Sequence, residues 1–239
     1  GICGYYDYEQ IHDDLAMHAA MVYDFAFDYL SRHPHAHLKE IGKDTKSVAV
    51  EVFKRFINIG LVRGGKSGNW NVNGWNMMLR PVLVLDSDEA YPDGKGKEYY
   101  LNLLVNESTP YHDAIPDMLK TYDPVTGLWP ESPGYSFGTI QMLLDWAAPL
   151  KRAGIDIIAG NPILQKAAMA VFPWMDDAAN MVVFGDSRGG SANFQTFENL
   201  LAYYAGITDK ADMEKVASAL NKGISQKKYT RNNAGWTGL

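Results

Sequence analysis

The chain has 239 residues and a mass of 26.6 kDa, enough for one large domain or two small ones and for a sizeable core. Apolar residues make up 46% and charged residues 21%, as in a globular protein. With 22 basic against 28 acidic side chains the net charge is −6, which speaks against nucleic acid as the main partner, because phosphate binding needs clustered Lys and Arg. One cysteine, Cys3, excludes an internal disulfide and a cysteine-based zinc cluster. No apolar run approaches the roughly 20 residues of a membrane span.

The elements, taken in order, predict helices almost throughout. Over 8–30, Ile11, Leu15, Val22 and Tyr29 keep helical spacing with Ala19 and Ala26 on the same face. Asp44 is the expected N-cap of a helix over 44–62, where Val48, Val52, Phe56 and Ile59 recur at steps of four, four and three. Glycines 64, 65 and 68 break the chain, and 75–85 is a short apolar helix. A turn at Pro92-Asp93-Gly94 precedes helices over 97–106 and 111–122. Residues 123–134 form a proline-rich loop before a helix over 137–150. Asn161-Pro162 starts the next helix, Pro173 interrupts it, and 181–184 is extended. Helices over 194–205 and 209–220 follow. About nine helices with one weak strand make a single all-α domain over 1–239, built from antiparallel helical hairpins. Without self-similarity among the hairpins, a toroid or barrel fits better than a solenoid.

Two stretches carry polar and aromatic residues together. In 68–76, read as a loop, four Asn and two Trp (Trp70 and Trp75) fall within nine residues. Amides donate and accept and indoles stack, which suits a polyol ligand, although Asn and Gly also shape turns. In 127–138, Glu131 lies four residues before Tyr135, between prolines that fix the backbone, with Trp129 alongside. The same pattern also describes a capped helix start, with Glu131 at the positive end of the dipole. Arg188, in the glycine-rich 185–190 stretch, is placed either to pair with a substrate carboxylate or to form a loop salt bridge. His33, His35 and His37 alternate, but no carboxylate or cysteine pattern supports a metal, and no cofactor motif is present.

Asn69-Trp70 followed by Asn76, then Trp129-Pro130-Glu131-Ser132-Pro133-Gly134-Tyr135, then Phe184-Gly185-Asp186-Ser187, resembles the helical domain of heparinase II/III-like polysaccharide lyases over roughly residues 44–205. The resemblance implies an incomplete α/α toroid followed by a C-terminal β-sandwich domain that is missing here. It also implies an anionic polysaccharide as substrate and a periplasmic or secreted location. The implied reaction is β-elimination at a bond 4-linked to a uronic acid. A donor must neutralise the uronate carboxylate, a base must remove the C5 proton, and an acid must protonate the leaving O4. By resemblance Tyr135 is the acid and, in syn elimination, also the base. Asn76 is the first choice for the carboxylate and Asn73 the second. Trp70, Trp75, Trp129, Glu131 and Arg188 are expected at the substrate. A phenol with an ordinary pKa of about 10 needs a nearby cation to serve as base. Family members often carry a His beside the Asn and a second from the β-sandwich; the 68–76 stretch has none, and His37 and His112 are not in matching positions. Two other readings stand beside this one. A glycoside hydrolase on a similar toroid needs two carboxylates, which Glu131 with Asp186 or Asp88 could supply. A non-catalytic glycan-binding domain needs neither.

Overall fold

The structure, a computed structural model, describes residues 15–176, 178–187, 194, 197, 198 and 209–229. Among them are nine α-helices, two 3-10 turns and no strand, so the all-α class expected from the sequence holds. The chain divides into two compact units, residues 1–118 and 119–239.

In the first unit α1 (Leu15–Arg32), α3 (Thr45–Arg63) and α4 (Gly68–Leu83) pack on one another in all three pairings, with α2 (Ala36–Glu40) short between α1 and α3. Helix α3 begins where the sequence places it. Asp44 Oδ1 accepts the Ser47 N–H at 2.8 Å, and the Ser47 hydroxyl oxygen accepts the Asp44 N–H at 3.3 Å, a reciprocal capping box. Helix α1 differs from expectation. Leu15, Val22 and Tyr29 form its exposed side, and packing runs instead through Ala20 and Tyr23, whose ring meets Phe53 edge-on at 5.7 Å. Both sides of this helix are apolar, so periodicity alone does not tell which one is inside.

Helix α4 is the largest local departure. The residues read as a loop are its first turns, and the helix begins at Gly68 rather than near Trp75. Val72, Trp75, Met78, Leu79 and Val82 lie on its buried side, so tertiary packing overrides the low helix propensity of Gly and Asn. A 3-10 turn (Asp88–Ala90) leads to α5 (Lys97–Val105), which packs on α4. The Asp88 carboxylate accepts the Gly96 and Tyr99 N–H groups at 2.8 and 3.0 Å, holding the start of α5. The helix expected over 111–122 shrinks to α6 (Ile115–Leu119).

In the second unit α7 (Pro133–Arg152), the longest helix, packs against α8 (Pro162–Met169). Ile140, Leu143, Leu144, Trp146 and Leu150 of α7 and Leu164, Ala167 and Ala168 of α8 are buried. Helix α7 starts four residues before the expected position because Pro133, with φ preset and no N–H to satisfy, takes its first helical position. Helix α8 starts at Pro162 for the same reason. After the 3-10 turn Phe172–Trp174, the expected strand is a single antiparallel bridge, Met175 to Met181. Most of the helix expected over 194–205 lies outside the described residues, but Phe197 is buried against Phe137 and Phe172. Helix α9 (Lys210–Ser225) starts at Asp209, which accepts the Ala211 and Asp212 N–H groups.

Candidate functional site

The expected site residues fall into two groups, one in each unit. In the first unit they lie on α4. Asn69, Asn73 and Asn76, at spacings of four and three, share one helix face, and Asn73 and Asn76 are half-buried, as is Trp70. Asn71 and Trp75 turn the other way and are completely buried. Helical phase thus separates the asparagines. Asn73 and Asn76 remain adjacent candidates for one task, and Asn71 has another.

That other task is a buried polar network. Asn71 Nδ2 donates to the Asp113 carbonyl at 3.0 Å and its Oδ1 accepts the Asp113 N–H at 3.0 Å, a two-way pairing that fixes the amide's orientation. The Trp75 indole donates to the same carbonyl at 3.2 Å. The hydroxyl of Ser67, the N-cap of α4, donates to Asp113 Oδ2 at 2.7 Å, and the Lys66 ammonium lies 3.6 Å from Oδ1. Residue Ser67 holds φ at +66°, a left-handed conformation that a non-glycine residue adopts only under constraint.

His112, which the sequence did not connect with this segment, completes the network. It is 1% exposed. Its Nε2 donates to the Gly60 carbonyl at 2.5 Å, near the end of α3, and its Nδ1 lies 3.2 Å from Asn71 Oδ1. The ring occupies a slot that only glycines permit: a Cβ at Gly64 would come within 1.8 Å of Nε2, and one at Gly74 within 3.1 Å of Cε1. Burial holds the His112 pKa below its ordinary value, although the Gly60 carbonyl and the Asp113 carboxylate favour the charged ring. The cavity beside the ring, between Gly64 and Gly74, is about 20 Å³, room for a water and not for a sugar. The only trace of this arrangement in the sequence is the pair of glycines, whose purpose appears once His112 is seen between them.

In the second unit the site residues gather at the start of α7. Trp129 is 3% exposed, edge-on to Tyr122 at 4.9 Å, so its faces are taken by protein. Its indole N–H donates to Glu131 Oε1 at 3.0 Å, which ties the exposed carboxylate to the loop. The preceding turn is held by Asp123, whose carboxylate accepts the Val125 and Thr126 N–H groups and the Thr126 hydroxyl. The Thr126 contacts hold the Asp123 carboxyl below its ordinary range. Tyr135, in the first turn of α7, is 40% exposed, and among the described residues its hydroxyl bonds to none. The 184–187 loop docks here: Ser187 Oγ accepts the Gly134 N–H at 2.7 Å, joining segments 53 residues apart in sequence. Asp186 is exposed on that loop, while Arg188 lies outside the described residues.

Of the carboxylates named for a hydrolase, Asp88 is committed to the start of α5, which leaves Glu131 and Asp186. Among the described residues no cluster of His, Cys, Asp and Glu is placed to hold a metal ion, and no helix is long and apolar enough to cross a membrane. No family model, curated protein or solved structure matches this chain.

Proposed function

We propose that this chain is the helical, toroid-type domain of a polysaccharide lyase acting on uronic-acid-containing glycans by β-elimination. The observation that carries the reading is the meeting of the Trp129–Tyr135 and Phe184–Ser187 segments at one helix start, with an exposed tyrosine between them. These are two of the three segments on which the family resemblance rests, and a chance match in sequence has no reason to converge in space.

In this reading Tyr135 protonates the leaving O4 and, in syn elimination, first takes the C5 proton, a transfer that suits a phenol open to solvent on a rigid helix start. Glu131 orients the loop through the Trp129 indole and is not the reacting group. For the partner of the uronate carboxylate, which shares the charge that develops as the C5 proton leaves, the resemblance points to Asn76, with Asn73 second. A β-sandwich domain, as the resemblance implies, supplies the remaining groups in the periplasm or outside the cell.

The experiment is product identity. The full-length enzyme, carrying the β-sandwich domain that the resemblance implies, is incubated with heparan, alginate, chondroitin and pectic glycans, and the products are read by ultraviolet absorbance and by reducing-end assay. Elimination yields unsaturated uronate ends. Reducing ends without them would replace the proposal with a hydrolase that uses Glu131 and Asp186, and binding without cleavage would replace it with a glycan-binding domain.

A further inference from the structure

We propose that Ser187 is a positioning residue for Tyr135, acting by capping α7 from outside the helix. The inference rests on the lyase reading for its chemistry and on the geometry of the α7 start for its mechanism. Helix α7 lacks a cap of its own. Its N-cap, Ser132, makes no side-chain hydrogen bond to the first turn, and its hydroxyl is buried without a partner. Pro133 has no N–H, so the first amide proton of the helix is that of Gly134, the one Ser187 Oγ takes at 2.7 Å.

The contact is close-packed. A Cβ on Gly134 would stand 3.0 Å from Ser187 Oγ and 3.5 Å from its Cβ, so glycine at 134 is what lets the serine approach. The loop that carries Ser187 is anchored in turn. Gly185 takes the left-handed conformation at φ +64°, where a Cβ would touch that of Ser132 at 3.4 Å. The Ser187 N–H returns to the Phe184 carbonyl at 3.4 Å, and the Phe184 ring lies 5.2 Å from that of Trp174.

Tyr135 follows Gly134 directly. Its Cα belongs to the first turn of α7, so a shift of that turn carries the phenol with it. An uncapped first turn frays, and a displacement of about 1 Å at a reacting group costs as much as 10²-fold in rate. Ser187 therefore does not touch the substrate; it holds the turn that aims the residue that does.

The test uses the whole chain with ring-labelled tyrosine, the Tyr135 signal being assigned by its loss in Tyr135→Phe. Ser187→Ala and Ser187→Thr are compared with the parent. In Ser187→Ala the Gly134 amide should exchange roughly fivefold to tenfold faster, the size of change a lost cap produces. The Tyr135 ring signal should move toward that of free tyrosine. The rate of unsaturated product release should fall about tenfold in kcat, with KM within about twofold. Ser187→Thr, which keeps the hydroxyl, should restore all three. If Ser187→Ala does not fold, Gly134→Ala, which pushes the serine away, should give the same pattern more weakly. A Ser187→Ala protein whose Gly134 exchange and Tyr135 signal match the parent overturns the inference, as does a change confined to KM. The rate is read on the full-length enzyme: a full-length parent that releases no unsaturated product overturns the lyase reading, and the Tyr135 signal still decides whether Ser187 positions it.

Discussion

The α4 asparagine segment and the α7 start look alike in sequence and end up opposite in structure. Both combine aromatics, glycine and hydrogen-bonding side chains outside any clear apolar period. In α4 the helix turns Asn71 and Trp75 inward, where they hold Asp113 and His112 in a buried network and leave space for one water. At α7, Pro133 starts the helix early and leaves Tyr135 and Glu131 outside, while Trp129 and Phe137 lie in the core. The difference lies in what the glycines are for. Those at 64 and 74 make room for a buried ring, whereas Gly134 makes room for a hydroxyl at a helix end. The first arrangement is a buried packing device and the second leaves a phenol in solvent.

That contrast breaks most easily at Gly64. A Cβ there overlaps the His112 ring and also approaches the Gly60 carbonyl at 2.9 Å, so Gly64→Ala must displace the ring and orphan its partners. Overpacking and unsatisfied buried groups together predict a loss of about 3–5 kcal/mol by urea unfolding. A loss under about 1 kcal/mol would mean that the slot is soft. Asn71→Ala comes next, at about 2–3 kcal/mol, because it leaves the buried Asp113 N–H without its acceptor and takes one of the two donors from the Asp113 carbonyl, the Trp75 indole remaining. Retained stability in that variant would place the network's weight elsewhere.

A smaller effect comes from pH. The folded protein holds His112 neutral, with a pKa below the unfolded value of about 6.5, so the folded state binds fewer protons. The stability from this group is present above about pH 6.5 and is lost as pH falls through the folded pKa. The urea midpoint of the parent should therefore drop on acidification from neutrality, and the His112 ring protons should titrate below the unfolded position. A His112 that titrates above it would mean that the Asp113 carboxylate outweighs burial. The smallest effect is expected from Gly134→Ala, under about 1 kcal/mol, because the new methyl meets Ser187 alone and its tightest contact, 3.0 Å, is with the serine hydroxyl rather than with a buried ring. Equal losses at Gly64 and Gly134 would erase the distinction between the two regions.

Much of the fold is legible before any coordinates. The Asp44 cap, the Asn161-Pro162 start and the Asp209 start all reappear as helix boundaries, because local start signals suffice there. The four, four, three stripe of Val48, Val52, Phe56 and Ile59, by contrast, is not the buried face of α3, which is Phe53, Ile57 and Leu61. The α4 start is not legible, since Gly and Asn are poor helix formers and the helix there depends on burying Val72 and Trp75. The buried side of α1 is not legible either, because Leu15, Val22 and Tyr29 mimic a core face. In 127–138, spacing and the family resemblance together single out Glu131 and Tyr135, and both prove exposed. The Ser187 cap and the place of His112 arise from contacts between segments up to 53 residues apart, which no local pattern encodes.

The lyase reading stands or falls on the Tyr135 phenol. Tyr135→Phe removes one hydroxyl from a partly exposed ring and keeps the rest of the helix start, so the melting temperature should stay close to that of the parent. The measurement, made in the full-length enzyme, is the rate of unsaturated uronate release by Tyr135→Phe against the parent on the same glycan. A fall of roughly 10²–10⁴-fold, the usual effect of losing an acid–base group, is the predicted result. Release at the parent rate would contradict it and remove Tyr135 from the chemistry.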